Sequence, residues 1–258
     1  MTKTVKLNNR TIGEGKDFFI FHGLFGYSDN WQTLGRRFGE HYRVHLADLR
    51  NHGHSPHADE FSYEAMAEDI RQLLLDEGVE KANLLGHSMG GKAVMLFAQK
   101  YPEMVDKLIV ADIGPKQYPP HHDSILEGLL ALDLNEIKSR GEADKKLQEY
   151  IPEMGIRQFL LKNLYWVEKG KLGWRMNLPV ISEQLDNILS SVDQKQVDVD
   201  TLFIRGDQSG YIKPDDYEDI KSQFSNAEIK TIEGVGHWLH AEAPDKFYDI
   251  VVDFLGEV

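Results

Sequence analysis

Two short stretches, far apart in the chain, carry residue types suited to nucleophilic chemistry. Leu84-Leu85-Gly86-His87-Ser88-Met89-Gly90-Gly91-Lys92 sets a serine between glycines at the spacing G-x-S-x-G, after an apolar run and before a helical pattern. A serine used as a nucleophile must stand on a sharp strand-to-helix turn, so that its hydroxyl projects above the sheet edge. Side chains at the flanking positions would collide with the neighbouring strand and helix, and glycine avoids this. A helix that starts at the serine turns its first N–H groups and the positive end of its dipole toward it, so the Met89 amide can donate to a developing oxyanion. The second stretch, Gly234-Val235-Gly236-His237-Trp238, offers an imidazole near the other end of the chain. A neutral His237 can take the serine proton and return it to a leaving group. Neither stretch decides anything alone: five-residue patterns recur by chance, and the chain has 11 histidines.

The elements around these stretches supply the context. Short apolar runs alternate with helical patterns, which predicts an α/β fold with a mostly parallel central sheet covered by helices on both faces. The runs are Phe18 to Phe21, Tyr42 to Leu46, Ala82 to Leu85, Leu108 to Ala111, Thr201 to Ile204 and Ile229 to Ile232. Ser62 is placed to cap a helix that buries Tyr63, Met66, Ile70 and Leu73 and stops at Gly78. Lys92 to Lys100 reads as the helix behind the serine, stopped before Pro102. A last helix starts near Pro244 and buries Phe247, Ile250, Val251 and Phe254. Ser88 therefore falls between a strand and a helix. His237 follows the last strand, at the same carboxyl edge of the sheet, where chemistry collects in open α/β folds.

Between 115 and 196 the alternation stops. Helical patterns at Ser124 to Leu132, Asp144 to Tyr150, Ile156 to Val167 and Ser182 to Leu189 follow one another with no clear strand between them. This predicts a helical lid, 115–196, inserted into a core made of 1–114 and 197–258. Upstream, His22-Gly23-Leu24-Phe25-Gly26 follows the first apolar run. Its glycines let backbone approach the nucleophile, and the Leu24 amide is the expected second oxyanion donor beside that of Met89, with Phe25 as the neighbour that could displace it.

Together these sites resemble the α/β-hydrolase superfamily along the whole chain, including the loop Asp48-Leu49-Arg50-Asn51-His52-Gly53-His54-Ser55. The resemblance is greatest to small bacterial esterases of the YbfF type, through Ile156 to Leu164 and His237-Trp238-Leu239-His240-Ala241-Glu242-Ala243-Pro244. It implies hydrolysis of carboxylic esters or thioesters without a cofactor. Most members of the superfamily carry the triad acid after the strand equivalent to Thr201 to Ile204, where this chain has Ser209, with Asp207 earlier in the turn. The YbfF-like group carries it in a run similar to Asp112-Ile113-Gly114-Pro115. Asp112 is therefore the preferred acid and Asp207 the alternative; both keep the chain order Ser, Asp, His. Phe25, His87, Arg157 and Trp238 are the candidate substrate contacts, Arg157 for an acidic group on the substrate.

Composition limits the alternatives. The 258 residues suffice for one large domain, or for one with an insertion. Without cysteine there is no disulfide, thiol catalysis or Cys-based zinc site, and a reducing cytoplasm is expected. A formal net charge of −13 opposes binding to nucleic acid or anionic lipid. The N-terminus lacks the pattern of a signal peptide, and no apolar run is long enough to span a bilayer. The cluster of His52, His54, His57 and Asp59 has metal-ligand residue types, but it coincides with the family's structural loop, so no metal is expected. His121-His122 reads as a solvated turn, and Trp166 and Trp174 read as lid core. The leading expectation is a serine esterase or thioesterase that works through an acyl-enzyme on a small-molecule substrate. Lyase or carbon–carbon hydrolase chemistry on the same triad is the alternative, followed by a non-catalytic receptor. Oligomeric state is not encoded legibly.

Overall fold

In the computed structural model, residues 3–120, 122–192 and 195–256 are described. The chain begins with β1 (Asn9–Ile12), β2 (Lys16–Phe21), α1 (Gln32–Phe38) and β3 (Tyr42–Ala47). Next come α2 (Tyr63–Asp76), β4 (Ala82–His87), α3 (Met89–Lys100) and β5 (Val105–Ala111). After an inserted segment it resumes with β8 (Thr201–Gly206), α9 (Tyr217–Gln223), β9 (Ala227–Ile232), α10 (Leu239–Glu242) and α11 (Pro244–Leu255). Among the described residues the central sheet has seven strands in the order β1-β3-β2-β4-β5-β8-β9. All its neighbours pair parallel except β1, which runs antiparallel to β3 at the edge.

Successive strand side chains point to opposite faces, and both faces are apolar and covered. Phe19 and Phe21 of β2, with Leu108 and Val110 of β5, join the core under α2 and α3. Phe18, Ile20, Ile109 and Ala111 join the core beneath α1 and α11. The Ser62 hydroxyl accepts from the Ala65 amide and caps α2, and Gly78 takes φ +69° just past its end. In α11, Phe247 and Val251 are fully buried, while Ile250 and Phe254 pack at the margin.

The segment between β5 and β8 holds α4 (Asp123–Leu130), α5 (Arg140–Leu147), α6 (Met154–Leu161), β6 (Leu164–Glu168), β7 (Lys171–Trp174), α7 (Leu178–Glu183) and α8 (Leu185–Leu189). The expected helix from Ile156 to Val167 is thus cut short. Asn163, fully buried just past α6, donates its side-chain amide to the Leu160 carbonyl of that helix and to the Phe25 carbonyl across the molecule. The chain then reverses into the antiparallel hairpin β6–β7. Trp166 stands half exposed on that hairpin, outside any core, and Trp174 packs at the core margin. His121 lies outside the described residues.

Two polar features and one glycine hold the loop from 48 to 55. The buried Asp48 carboxylate accepts from the amides of Ser28 (2.7 Å) and His54 (2.8 Å) and from the Asn8 side chain (2.9 Å). Arg50 meets Asp69 through two nitrogens, at 2.7 and 2.9 Å, with both side chains fully buried. Gly53 takes φ +58°, and a Cβ there would lie 2.4 Å from the Asp48 carboxyl.

Candidate active site

Ser88 lies between β4 and α3 with φ +52° and ψ −119°, a strained conformation for a residue that has a side chain. Its neighbours explain how the turn closes. A Cβ on Gly86 would lie 2.2 Å from the Gly90 carbonyl oxygen, and one on Gly90 would lie 2.5 Å from that of Phe21. The turn can be this tight only with glycine at both positions. It places Ser88 Oγ 3.0 Å from His237 Nε2, across 149 residues of sequence. His237 Nδ1 in turn lies 2.8 Å from Asp112 Oδ2. Asp112 follows β5 with φ +51°, is fully buried, and accepts the Gly206 amide on its other oxygen at 3.1 Å.

Asp207 points elsewhere. Its carboxylate accepts from the Gly234 amide at 2.7 Å and so ties the turn after β9. Ser209 donates its hydroxyl to Asp112 Oδ2, and the Tyr211 ring lies flat against His237 with centroids 4.0 Å apart and planes 19° apart.

The loop His22 to Gly26 passes directly over the serine. A Cβ on Gly23 would lie 2.9 Å from His87 Nδ1 and 3.2 Å from Ser88 Cβ. Two buried imidazoles fix this loop. His22 Nε2 accepts the Leu49 amide (2.9 Å) and His52 Nε2 accepts the Phe25 amide (3.2 Å). Each accepting ring must be neutral and carry its proton on Nδ1, which points to the Gly23 carbonyl in His22 and to the Arg50 carbonyl in His52. Burial supplies the condition, pushing His22 below its ordinary range and His52 down to about 3. With the Phe25 amide committed to His52, the Leu24 amide has no acceptor among the described residues, and the Met89 amide opens α3. Both lie next to Ser88 in the fold, as the sequence led one to expect.

His87 is 4% exposed, and its Nε2 donates to the His237 backbone carbonyl at 2.9 Å. Burial first, then the neighbouring His240 and His237, hold His87 well below the usual imidazole range. It steadies the loop that carries His237 from beneath.

A cavity of about 250 Å³ opens at Ser88. Phe25, His87 and Trp238 line it together with Ile125, Ile156 and Phe159 from the inserted segment. His122, expected in a solvated turn, also lines it, with its ring 6.2 Å from that of Phe25. No Asp, Glu, Lys or Arg lines the cavity among the described residues. Arg157 does not reach it. It is 5% exposed, pairs with Asp144 at 2.9 Å, and donates to the carbonyls of Ile151 and Pro152, so it braces α6 against α5 rather than meeting a ligand. A helical arginine near a pocket reads the same from sequence whichever way it points.

Two buried residues that hold the backbone around the site are not marked as such by the sequence. His52 sits among histidines that suggest a metal, yet it serves as a backbone acceptor. Lys92, one turn after Ser88, is 1% exposed and donates to the carbonyls of Lys116 (2.7 Å) and Ser190, the two roots of the inserted segment. Burial pushes its ammonium down to about 7.

The sheet order, the strained turn and the carboxyl-edge site together describe an α/β hydrolase, and comparison with known proteins agrees. A family model described as the alpha/beta hydrolase fold matches residues 18–139. The sn-1-specific diacylglycerol lipase ABHD11 of Mus musculus is 39% identical over 245 residues, spanning 92% of this chain and 80% of that protein. The chain belongs to the α/β-hydrolase family. Within it, the chain is similar to proteins named as esterases and lipases. Esterase YbfF of Escherichia coli (strain K12) is 35% identical over 239 residues, 92% of each chain. A solved structure described as a marine microorganism esterase superposes with a TM-score of 0.95 at 40% identity, covering 97% of this chain and 100% of that one. No helix among the described residues is long and apolar enough to cross a membrane.

Proposed function

We propose that this α/β hydrolase of the esterase and lipase type is a serine carboxylic-ester hydrolase that works through an acyl-enzyme. The observation that carries the reading is the continuous line from Ser88 Oγ to His237 Nε2 (3.0 Å) and from His237 Nδ1 to Asp112 Oδ2 (2.8 Å). Ser88 Oγ attacks the ester carbonyl as His237 takes its proton. The negative charge that forms on the carbonyl oxygen meets the amides of Leu24 and Met89. His237 returns the proton to the departing alkoxide, and the acyl group stays on Ser88. Water then repeats the sequence and releases the acid. Asp112 fixes the His237 tautomer and stabilises the imidazolium.

The segment 115–196 acts as the lid of this site, over a core of 1–114 and 197–258. Helices α4 and α6 supply the apolar roof of the cavity through Ile125, Ile156 and Phe159. An apolar cavity without a charged lining suits an uncharged substrate. The excess of acidic residues further disfavours a polyanionic thioester, although the triad itself would cleave either bond. The test is turnover of a graded series of uncharged acyl esters by the wild type and by Ser88→Ala and His237→Ala. Loss of about three orders of magnitude or more is expected in each variant. Turnover by Ser88→Ala at the wild-type rate would refute the reading.

A further inference from the structure

We infer that Asn30 and His240 form a polar reading point in the neck of the substrate cavity, where they bind a hydroxyl that the substrate carries some bonds away from its scissile carbonyl; this rests on the ester-hydrolase reading given above. The cavity at Ser88 adjoins a groove of about 560 Å³. Ile156, Phe159 and Trp238 line both spaces as apolar walls, with the rings of Phe159 and Trp238 5.8 Å apart. Asn30 and His240 line both as well, so they stand where the two spaces meet.

Both side chains have hydrogen-bonding capacity to spare. Asn30 Oδ1 accepts the Tyr27 amide at 2.8 Å, which settles which end of the side-chain amide is nitrogen. Nδ2 then has no acceptor among the described residues and remains a free donor. His240 is 6% exposed, and neither of its ring nitrogens meets a hydrogen-bond partner among the described residues. Nδ1 is sealed from solvent, which leaves Nε2 as the nitrogen a ligand can reach. The ring is held by its faces alone. It stacks on Trp31 with centroids 4.2 Å apart and planes 9° apart, and the His87 ring meets it at 4.6 Å. Buried polar groups without partners are rare and cost the fold. A ring kept only for packing would be better served by Phe, which fills the same slab without polar atoms.

The chemistry of the pair selects the ligand. Burial first, then the neighbouring His237, hold His240 down at about 3, so its ring is neutral. A neutral pair cannot repay a carboxylate or an ammonium for the water it loses. A hydroxyl both donates and accepts, so it can meet Nε2 in either tautomer while accepting from Asn30. A methyl group in the same place would leave both side chains unpaired. Because His240 follows the base by three residues, in the short helix α10, the reading point keeps a fixed place relative to the reacting atoms.

The experiment measures kcat/KM on two pairs of uncharged esters. One member of each pair ends in a hydroxyl, on its alcohol in the first pair and on its acyl chain in the second; the other member has a methyl group in that place. The wild type, His240→Phe, Asn30→Ala and Ser88→Ala are compared. In at least one pair the wild type is expected to turn over the hydroxylated ester as well as its methyl partner or better. His240→Phe, which keeps the stack on Trp31, should shift that ratio about tenfold toward the methyl ester, and Asn30→Ala about threefold. The ratio compares two esters on one enzyme, so a variant that is merely damaged lowers both alike. A wild type that favours the methyl ester in both pairs overturns the inference, as does an unchanged ratio in His240→Phe or in Asn30→Ala. Retained turnover in Ser88→Ala would instead defeat the ester-hydrolase reading. A dead Ser88→Ala beside an unmoved ratio in His240→Phe defeats this inference alone.

Discussion

The carboxyl edge of the sheet and the segment above it are held by different means. At the edge, buried neutral imidazoles hold the backbone around Ser88: His52 holds Phe25, His22 holds Leu49, and His87 holds His237. The inserted segment is joined to the core by side-chain ties from many points and by a shared apolar core. Lys92 grips both its roots, Asn163 reaches the Phe25 carbonyl, and the Tyr63 hydroxyl reaches that of Ile188. It also bears most of the large apolar side chains left exposed, among them Leu130, Met154, Trp166 and Val167. On the proposed reading the two regions have separate tasks: the edge would set the chemistry, and the roof would set which ester reaches it. A fixed edge is what an activated nucleophile and preorganised amide donors require. An apolar roof carried by a separate inserted segment can vary in shape without disturbing the edge.

The largest expected effect breaks the edge. Asp112→Asn should lower kcat by about three to four orders of magnitude with little change in KM, because the amide favours the wrong tautomer of His237. Asp207→Asn should stay within a few fold, since Asp207 holds a turn. Steady-state kinetics on the two variants decides this, and a loss confined to Asp207→Asn would reverse the assignment.

A smaller effect should fall on the roof. Phe159→Ala enlarges the cavity without touching the triad. It should shift preference toward bulkier acyl esters by roughly tenfold in kcat/KM relative to the shortest ester, an effect of the size that one missing apolar contact produces. Equal loss on every chain length would mean that the roof also serves the chemistry.

The tie between the regions is testable through stability. Lys92→Met leaves the half-buried carbonyls of Lys116 and Ser190 without their donor and should cost roughly 1–3 kcal/mol in urea unfolding. A change within experimental error would show that the Lys92 bonds do not anchor the segment.

The smallest effect concerns pH. Burial holds His240 down at about 3, stacked on Trp31 with centroids 4.2 Å apart. The unfolded chain therefore binds a proton below about pH 6.5 that the folded chain refuses until far lower. Stability from this group is complete above that value and declines as pH falls toward the folded value. His240→Phe keeps the stack and removes the titration. Between pH 6 and 5 it should flatten the dependence of unfolding free energy on pH by up to about 1.4 kcal/mol per unit. An unchanged slope would contradict the neutral assignment.

The core of the fold was legible because its strands are short apolar runs with alternating faces, as at Phe18 to Phe21, and because its helices have clear caps, as at Ser62. Strand β1 was not legible: Asn-Arg-Thr-Ile has no apolar alternation, and it pairs only at an edge where both faces are partly wet. The hairpin β6–β7 was hidden because apolar spacing continues from Ile156 through Val167. What ends α6 is a buried asparagine whose partner, Phe25, lies 138 residues away. At the site, Ser88 and His237 were visible through local turn chemistry. The parts of Lys92, His52 and Ser209 were not, because each acts through a contact made by the fold and not by its neighbours in sequence. Arg157 failed for the same reason in reverse.

The central claim is that Ser88 is an activated nucleophile. Its most direct test is covalent labelling with a fluorophosphonate, followed by mass mapping of the modified peptide. A single phosphonylated residue at Ser88, absent from Ser88→Ala and strongly slowed in His237→Ala, is the predicted result. A label on another residue, or full labelling of Ser88→Ala, would contradict the account.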